Sequence, residues 1–218
     1  MKKLYIISFL LVALQGFAQY GYRDGNRIGI YAGVNQTSLM TSNFNIQPEL
    51  GWSAGMQVRG NYYNDFSMIY GMQFSENNFT VATFSPLMQK QDVEYKLMAV
   101  QIRLLLSYNI VKDHVSLDLG PVLQINDKLK FDSKYEHNLI EDNILLTAKD
   151  ITDVTKINGN LYIGFSAGNR RVRALVNYQY GMNNILNNLN NKEELELKTN
   201  GDFKGHIGIL TGQLLFNL

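Results

Sequence analysis

The sequence predicts an all-β protein, an eight-stranded antiparallel up-and-down transmembrane barrel with short periplasmic turns and long extracellular loops. Three observations support this fold class. Apolar and polar residues alternate in eight segments, and the connections between these segments alternate in length. After the first 18 residues, no apolar run is long enough for a membrane helix. Strands that cross a bilayer alternate in this way, and bacterial barrels have short turns at one end and long loops at the other.

The clearest alternation lies in the middle of the chain, over residues 97–108 and 115–126. In each segment one face is apolar, whereas the other face is mostly polar and includes Arg103 and Asp118. Each segment is long enough to cross a bilayer as a tilted strand. The polar turn Asn109 to His114 is short enough to join the two segments as an antiparallel hairpin.

Six further segments show the same period of two. They run over 28–35, 52–59, 66–75, 161–168, 172–181 and 209–218. The even number places both termini in the periplasm, and the sheet must close because an open edge in lipid would leave backbone groups unpaired.

The connections are expected to alternate between long and short. Long extracellular loops are expected at 37–50, 76–92, 127–156 and 183–204, and short periplasmic turns at 62–65, 109–114 and 168–171. The start of 76–92 could extend a strand, and the apolar pieces of 127–156 could extend strands or form a short helix. The asparagine-rich run 183–191 is expected to be a polar surface loop.

The amino terminus has the pattern of a secretory signal peptide. Lys2 and Lys3 precede an apolar run from Leu4 to Leu14, and Gly16-Phe17-Ala18 forms a small-x-small cleavage site. The apolar run is too short for a membrane helix. The chain therefore divides into a signal peptide, 1–18, and an outer-membrane barrel domain, 19–218.

The composition agrees with an exported barrel. The 218 residues carry a net charge of +1 and no cysteine. Nucleic-acid-binding proteins carry a larger basic excess, and an exported chain without disulfides must be held by its fold alone.

A soluble lipocalin-type barrel, which would carry a small apolar ligand, shows the same alternation with its apolar faces turned inward. Lipid on the outside is favoured because aromatic residues lie towards the ends of the apolar faces and because all the long loops share one side. These aromatic residues are Trp52, Phe66, Tyr108, Tyr180 and Phe216.

Four charged residues are expected inside the barrel if the apolar faces contact lipid. Arg59, Arg103, Asp118 and Arg173 then form an interior charge cluster, in which Asp118 pairs with one or two of the arginines. A buried charge without a partner costs several kcal/mol, so pairing is expected. The cluster is predicted to be structural, with a proton or ion path as the alternative.

No catalytic, cofactor-binding or metal site is predicted. Of the three histidines only His206 is placed for a lipid-modifying barrel enzyme, and no adjacent serine completes a nucleophile–base pair. The loop residues Glu136, His137, Glu141 and Asp142 match no metal-ligand spacing.

Several blocks of the sequence resemble the PorT-like outer-membrane β-barrel proteins of Bacteroidetes. They include GIYAGVNQTSL, GWSAGMQVRGNYY, FSMIYGMQF, VSLDLGPVLQI and YQYGMNNI, and the resemblance runs over nearly the whole mature chain. The chain departs from the family at Gln101, where a proline is usual, and at 76–79, where a Lys-Gly-containing stretch is usual. The resemblance implies an eight-stranded barrel. The name-giving members of the family are tied to protein secretion by the type IX system.

The sequence therefore predicts a non-enzymatic protein of the bacterial outer membrane. Its expected role is structural or as an interaction partner, with secretion or another envelope machine as the process. The expected partners are outer-membrane lipid and another envelope protein that contacts the extracellular loops. The alternatives are a lipid-modifying barrel enzyme and a carrier of a small apolar ligand.

Overall fold

The computed structural model describes residues 26–196, 198–199 and 201–218, so the predicted signal peptide lies outside the described residues. Their strands are β1 (Arg27–Thr41), β2 (Ile46–Tyr63), β3 (Phe66–Phe84), β4 (Lys90–Val111), β5 (Val115–Asn126), β6 (Leu139–Ile140), β7 (Asn143–Thr147), β8 (Ile157–Gly168), β9 (Val172–Gly181) and β10 (Gly205–Asn217). Short helical turns lie at Ser133–Tyr135, Asp150–Thr152, Asn187–Asn191 and Glu193–Glu196. Within the described part of the chain, no helix has the length and apolar content needed to cross a bilayer.

Eight of the strands close into an antiparallel barrel. Neighbouring strands pair in the order β1, β2, β3, β4, β5, β8, β9 and β10. The first and last strands close the wall, with Gly29 opposite Asn217 and Thr41 opposite Gly205. The small hairpin of β6 and β7 extends the sheet where β6 pairs with the end of β3. The predicted eight-stranded up-and-down barrel is therefore confirmed, with two short strands added at one end.

The three short turns lie together at one end of the barrel, as predicted. Each contains a residue with positive φ: Asn64 at 48°, Asp113 at 63° and Gly168 at 152°. Asparagine, aspartate and glycine adopt this conformation more easily than other residues. We call this end periplasmic, following the usual orientation of such barrels.

The outer wall of the barrel is apolar. Outward residues such as Leu104, Leu119 and Ile163 are about half exposed, whereas their inward neighbours are buried. Aromatic residues mark both ends of this wall, with Phe66 and Tyr108 in ring contact near the periplasmic turns and Trp52 and Tyr180 on the other side. The exterior is therefore suited to lipid, and the lipocalin-type alternative is wrong because it requires a polar exterior.

The strands are longer than predicted. The structure has 19 residues in β3 and 22 in β4, about twice the length that a bilayer requires. Most of the long loops expected at 37–50 and 76–92 are therefore strand, and only residues 42–45 and 85–89 connect them. The prediction of long loops was wrong there because polar outward residues, such as Lys90 and Asp92, also suit a strand that has left the membrane.

The extended strands and the last two long connections form a separate apolar core, which we call the extracellular cap. Its buried residues include Phe79, Tyr95, Leu97, Phe203 and Ile207, together with residues from the connections 127–156 and 182–204. The interior of the barrel is thus polar between the lipid-facing walls and apolar above them. Burial in the cap follows the hydrophobic effect in water, whereas the membrane part turns its apolar residues to lipid.

Candidate functional site

The periplasmic half of the interior contains an ion pair between β2 and β5. Arg59 Nη2 lies 3.4 Å from Asp118 Oδ1. The hydroxyls of Ser107 and Ser116 donate hydrogen bonds to the same carboxylate oxygen. Arg59 Nη1 also donates to Ser107 Oγ at 2.9 Å. Both charges are buried, and the serines bond to both of them, although Arg59 Nε has no acceptor among the described groups. Such additional hydrogen bonds offset part of the cost of burying an ion pair.

Arg173 on β9 lies beside this pair without joining it directly. Its Nη2 donates to Ser166 Oγ at 2.8 Å, and its Nη1 donates to the backbone oxygen of Asp113 at 3.0 Å. Ser116 lies 3.4 Å from Arg173 Nη2 and also contacts Asp118, so the serine links the two charged groups. Among the described residues, Arg173 forms no ion pair with a carboxylate.

Arg103 lies apart from the other three charged residues. Its guanidinium carbon is 5.4 Å from the centre of the Tyr31 ring and 5.3 Å from that of Tyr162. Its Nη2 donates a hydrogen bond to Gln73 Oε1. Aromatic rings attract a desolvated cation by about 2 kcal/mol or more, so these contacts replace a carboxylate at this level of the barrel.

Two inward glycines make room for these rings. A Cβ at Gly164 would lie 2.6 Å from the Tyr162 ring, and a Cβ at Gly55 would lie 2.8 Å from that of Tyr31. Glycine within a strand often indicates the close approach of another group. This was the sequence signal for the arginine–tyrosine arrangement, and the predicted cluster did not include it.

A chain of amide side chains crosses the interior above Arg103. Gln73 donates to Gln101 at 3.2 Å, and Gln101 donates to Gln124 at 2.9 Å. Gln124 also accepts a hydrogen bond from Asn160 at 2.8 Å. The chain connects β3, β4, β5 and β8, so these buried polar groups stabilise neighbouring strands from inside.

The histidines do not form a catalytic arrangement. His206 Nδ1 lies 2.9 Å from the backbone oxygen of Gly181, and its ring stacks on Tyr180 at 5.6 Å. His114 contacts the backbone of Lys112 in a periplasmic turn. A lipid-modifying enzyme would require a hydroxyl or carboxylate beside His206. The ring nitrogen of His206 contacts a backbone oxygen instead.

The loop residues Glu136, Glu141 and Asp142, for which the sequence predicts no metal site, have separate partners in the structure. Glu136 pairs with Lys149, Glu141 pairs with Lys90, and Asp142 accepts a hydrogen bond from the backbone of Asn45. Within the described residues, no group of three histidine or carboxylate side chains could hold a metal ion.

The asparagine-rich connection is an ordered part of the cap rather than the polar surface loop expected from the sequence. Asn184 accepts hydrogen bonds from the backbone of Leu186 and Gly205 and donates to that of Phe203 at 2.8 Å. Asn190 accepts from Phe203 N at 2.7 Å and donates to Phe203 O at 3.0 Å. Asparagine often bonds to nearby backbone groups, and here these bonds hold Phe203 in the apolar core.

The surface of the cap carries two exposed apolar tips. Leu87 and Met88, in the connection between β3 and β4, are 81% and 62% exposed. Ile144 and Leu145, on β7, are 56% and 60% exposed. The pairing of β6 with β3 attaches the β6–β7 hairpin to the end of the same strand that leads to the first tip.

The periplasmic turns are joined by ion pairs of Asp113 with Arg27 and Arg170, which we call the periplasmic clasp. Asp113 forms ion pairs with Arg27 and, at 2.8 Å, with Arg170. Burial opposes ionisation of Asp113, but the hydrogen bonds from Arg27 and Arg170 outweigh it and lower its pKa to about 2. The clasp joins the start of β1 to the β4–β5 and β8–β9 turns.

Comparison with known proteins shows the fold. The structure is similar to that of Neisserial surface protein A, with a TM-score of 0.50 at 12% identity over 89% of this chain and 99% of that chain. It is also similar to Ail, the attachment invasion locus protein of Yersinia pestis, solved with the heparin analogue sucrose octasulfate. That TM-score is 0.52, at 12% identity over 89% of this chain and 99% of that chain. No protein-family model and no curated protein sequence matches. The chain therefore has the fold of bacterial outer-membrane β-barrels.

Proposed function

We propose that this protein is a non-enzymatic component of the bacterial outer membrane whose extracellular cap binds another envelope protein. The barrel anchors the cap, and its charged interior holds the strands together. The observation that carries the proposal is the pair of apolar tips on the cap, Leu87-Met88 and Ile144-Leu145, which are exposed beyond the lipid-facing wall. Exposed apolar groups on an otherwise polar surface are typical of protein interaction sites.

The cap is suited to this role because its connections are packed together and are not open loops. Its connections are fixed by an apolar core and by the bonds of Asn184 and Asn190 to backbone groups. A preformed surface loses less conformational entropy on binding than a mobile loop does. The tips are therefore presented in a fixed geometry.

The process that best fits the sequence is protein secretion. The blocks that resemble the PorT-like proteins include Tyr180-Gly181-Met182-Asn183-Asn184-Ile185, and Asn184 of this block organises the cap. The resemblance supports a partner in a secretion machine of the type IX kind. The position of His206 supports a binding role over lipid modification, because its ring nitrogen contacts a backbone oxygen.

The test is chemical crosslinking of tagged protein in its native outer membrane, followed by purification in a gentle detergent and mass spectrometry. Two variants remove the tips, L87S/M88S and I144S/L145S. The matched control is K128S/K134S, which changes two exposed polar residues of the same side. We expect the wild type and the control to retain one defined protein and the tip variants to lose it.

Three other results would contradict parts of this proposal. If the wild type elutes without any crosslinked protein, the binding role is wrong. If a protein is retained but belongs to no secretion machine, only the secretion role is wrong. Retention by every variant would show that the apolar tips are not the contact surface.

A further inference from the structure

The periplasmic mouth of the barrel contains a polar pocket of about 400 Å³. Its lining residues come from β1, β2, β3, β4 and β9 and from the turns at Asn64-Asp65 and Lys112-Asp113. The pocket is therefore reached along the barrel axis from the side of the short turns. It lies at the opposite end of the barrel from the extracellular cap, so its role is independent of the proposed function.

Positive charge is in excess around this pocket. Its cations are Arg27, Arg59, Lys112 and Arg173, whereas its lining carboxylates are Asp65 and Asp113. Two of the cations are already neutralised, because Arg27 pairs with Asp113 and Arg59 pairs with Asp118 behind the pocket wall. Arg173 and Lys112 remain without an ion pair among the described residues.

Arg173 is the strongest sign that the pocket receives an anion. Its side chain is 3% exposed, and its hydrogen bonds go to neutral oxygens of Ser166, Ser116 and the Asp113 backbone. Its Nε has no acceptor among the described groups. A buried guanidinium is costly unless a charged partner approaches it, and phosphate and carboxylate groups match its geometry.

The neutral groups of the pocket are also suited to an oxyanion. The lining includes Asn64 and Asn109, whose amide nitrogens carry two N–H groups each. Asn109 Nδ2 gives one of its hydrogen bonds to Ser67 Oγ at 3.3 Å, and the Ser67 hydroxyl donates to Asn61 Oδ1 at 3.4 Å. The ligand must come from the periplasm rather than from the surrounding lipid, because the pocket lies inside the ring of strands and lipid headgroups lie outside it.

We propose that this periplasmic pocket binds a small oxyanion, with the guanidinium of Arg173 and the ammonium of Lys112 as its charged partners. The anionic group is a phosphate or a carboxylate, either free in the periplasm or carried by a larger periplasmic molecule. Arg173 and Lys112 lack a carboxylate partner, and Asp65 also lines the pocket, so a single negative charge on the ligand balances the lining.

The test is a titration of the purified full-length protein in a nonionic detergent and Tris chloride. Sodium phosphate and sodium acetate are added separately, sodium chloride holds the ionic strength constant, and thermal unfolding and calorimetry report binding. We expect saturable stabilisation, since a ligand that binds only the folded state raises its stability with concentration. Saturation by phosphate alone assigns a phosphate site, and saturation by both anions assigns a general oxyanion site. Saturation by neither overturns the proposal.

Two variants locate the site. R173Q removes the buried guanidinium and is expected to raise the apparent dissociation constant about tenfold or more, the loss of one charge-assisted contact. Because R173Q could also disturb folding, K112Q tests the exposed rim, where we expect weaker binding with unchanged stability in chloride. The control K128Q removes the same charge at the extracellular side and should bind as the wild type does. Equal loss in K112Q and K128Q would overturn the proposal, because it would indicate a general effect of net charge.

Discussion

Leu97 and Gln101 lie on the same inward face of β4, both are completely buried, and the chemistry of the interior reverses between them. Leu97 belongs to the apolar core of the cap, whereas Gln101 is the middle member of the amide chain between Gln73 and Gln124. Along the strand, Ala99 is the one inward residue between them. The outer boundary of the membrane part is therefore marked by a change of polarity inside the barrel as well as on its outer wall.

The first prediction concerns this boundary. Q101L removes the acceptor of Gln73 and the donor to Gln124, and leaves polar groups buried without a partner. We expect a loss of about 1–3 kcal/mol in the free energy of unfolding, the cost of an unpaired buried group. Urea unfolding of the barrel in lipid vesicles measures it. L97M serves as the control, because it keeps an apolar side chain of similar volume in the cap. A Q101L barrel as stable as the wild type would show that the amide chain contributes nothing.

The second prediction concerns the ion pair in the membrane part. D118A removes the carboxylate that Arg59 and two serines contact, and leaves a buried guanidinium without its counter-charge. We expect destabilisation of about 3–5 kcal/mol. The barrel should then lose its heat-modifiable mobility on gels at a lower temperature. D127A, which removes an exposed carboxylate near the other end of β5, should leave this temperature unchanged.

The double variant R59L/D118L separates charge from packing. Replacing both partners of a buried ion pair with apolar residues is often nearly neutral. Both variants should unfold at a lower denaturant concentration than the wild type. The decrease should be smaller for R59L/D118L than for D118A. If the double variant is the less stable of the two, the role of Asp118 is not to compensate buried charge.

The third prediction concerns the cap. L189A opens a cavity in its core, where Leu189 is completely buried. Such truncations cost about 2–5 kcal/mol. We expect trypsin to cleave faster at Lys192 and Lys198 while the transmembrane barrel stays folded. L123A, a truncation on the lipid-facing wall, should not change the cleavage rate. Loss of the whole barrel in L189A would show that the cap and the membrane part unfold as one unit.

The fourth prediction concerns pH and the periplasmic clasp. The pKa of Asp113 is about 2 in the folded protein, below its ordinary value of 3.8. The unfolded chain therefore takes up the proton first as the pH falls, so the clasp stabilises the fold above about pH 4 and loses this effect between pH 4 and 2. D113N should reduce stability by up to about 1 kcal/mol at neutral pH, because the ion pairs lie in surface turns where solvent screens the charges. The difference from the wild type should vanish near pH 2. A difference that stays constant down to pH 2 would contradict the assignment.

The membrane part of the fold could be predicted because each of its strands faces two different environments. Alternation over 97–108 and 115–126 fixes which residues point outward, and the aromatic residues at the wall ends, such as Trp52 and Tyr108, indicate lipid on the outside. Two-residue periodicity is local, so it can be read without knowing which strands are neighbours.

The cap could not be predicted by the same reasoning. In β4 the residues Tyr95 and Leu97 point inward and Lys96 points outward, which is the reverse of the pattern at Arg103 and Leu104. Outward charges such as that of Asp92 predict a loop, although they are also expected on a strand that faces water. The burial of Phe203 by Asn184 and Asn190 depends on contacts between chain segments, and composition alone indicates only a polar connection.

The candidate site was predictable only in part for a similar reason. The sequence places Arg59, Arg103, Asp118 and Arg173 on inward faces, and in the structure all four are buried. Which arginine meets the carboxylate depends on strand register, which the alternation leaves open. The partners of Arg103 are Tyr31 and Tyr162, from strands distant in sequence, and only the glycines opposite their rings gave a signal.

The pairing of β1 with β10 has a consequence for how the protein is made. The ribosome synthesises β1 first among the strands and β10 last, so the edge of β1 has no partner until the chain has been exported as far as Gly205. Contacts between such distant residues slow folding, and an unpaired strand edge promotes aggregation. We therefore expect unfinished chains to require a factor that covers this edge, and a chain shortened before β10 to be degraded rather than inserted.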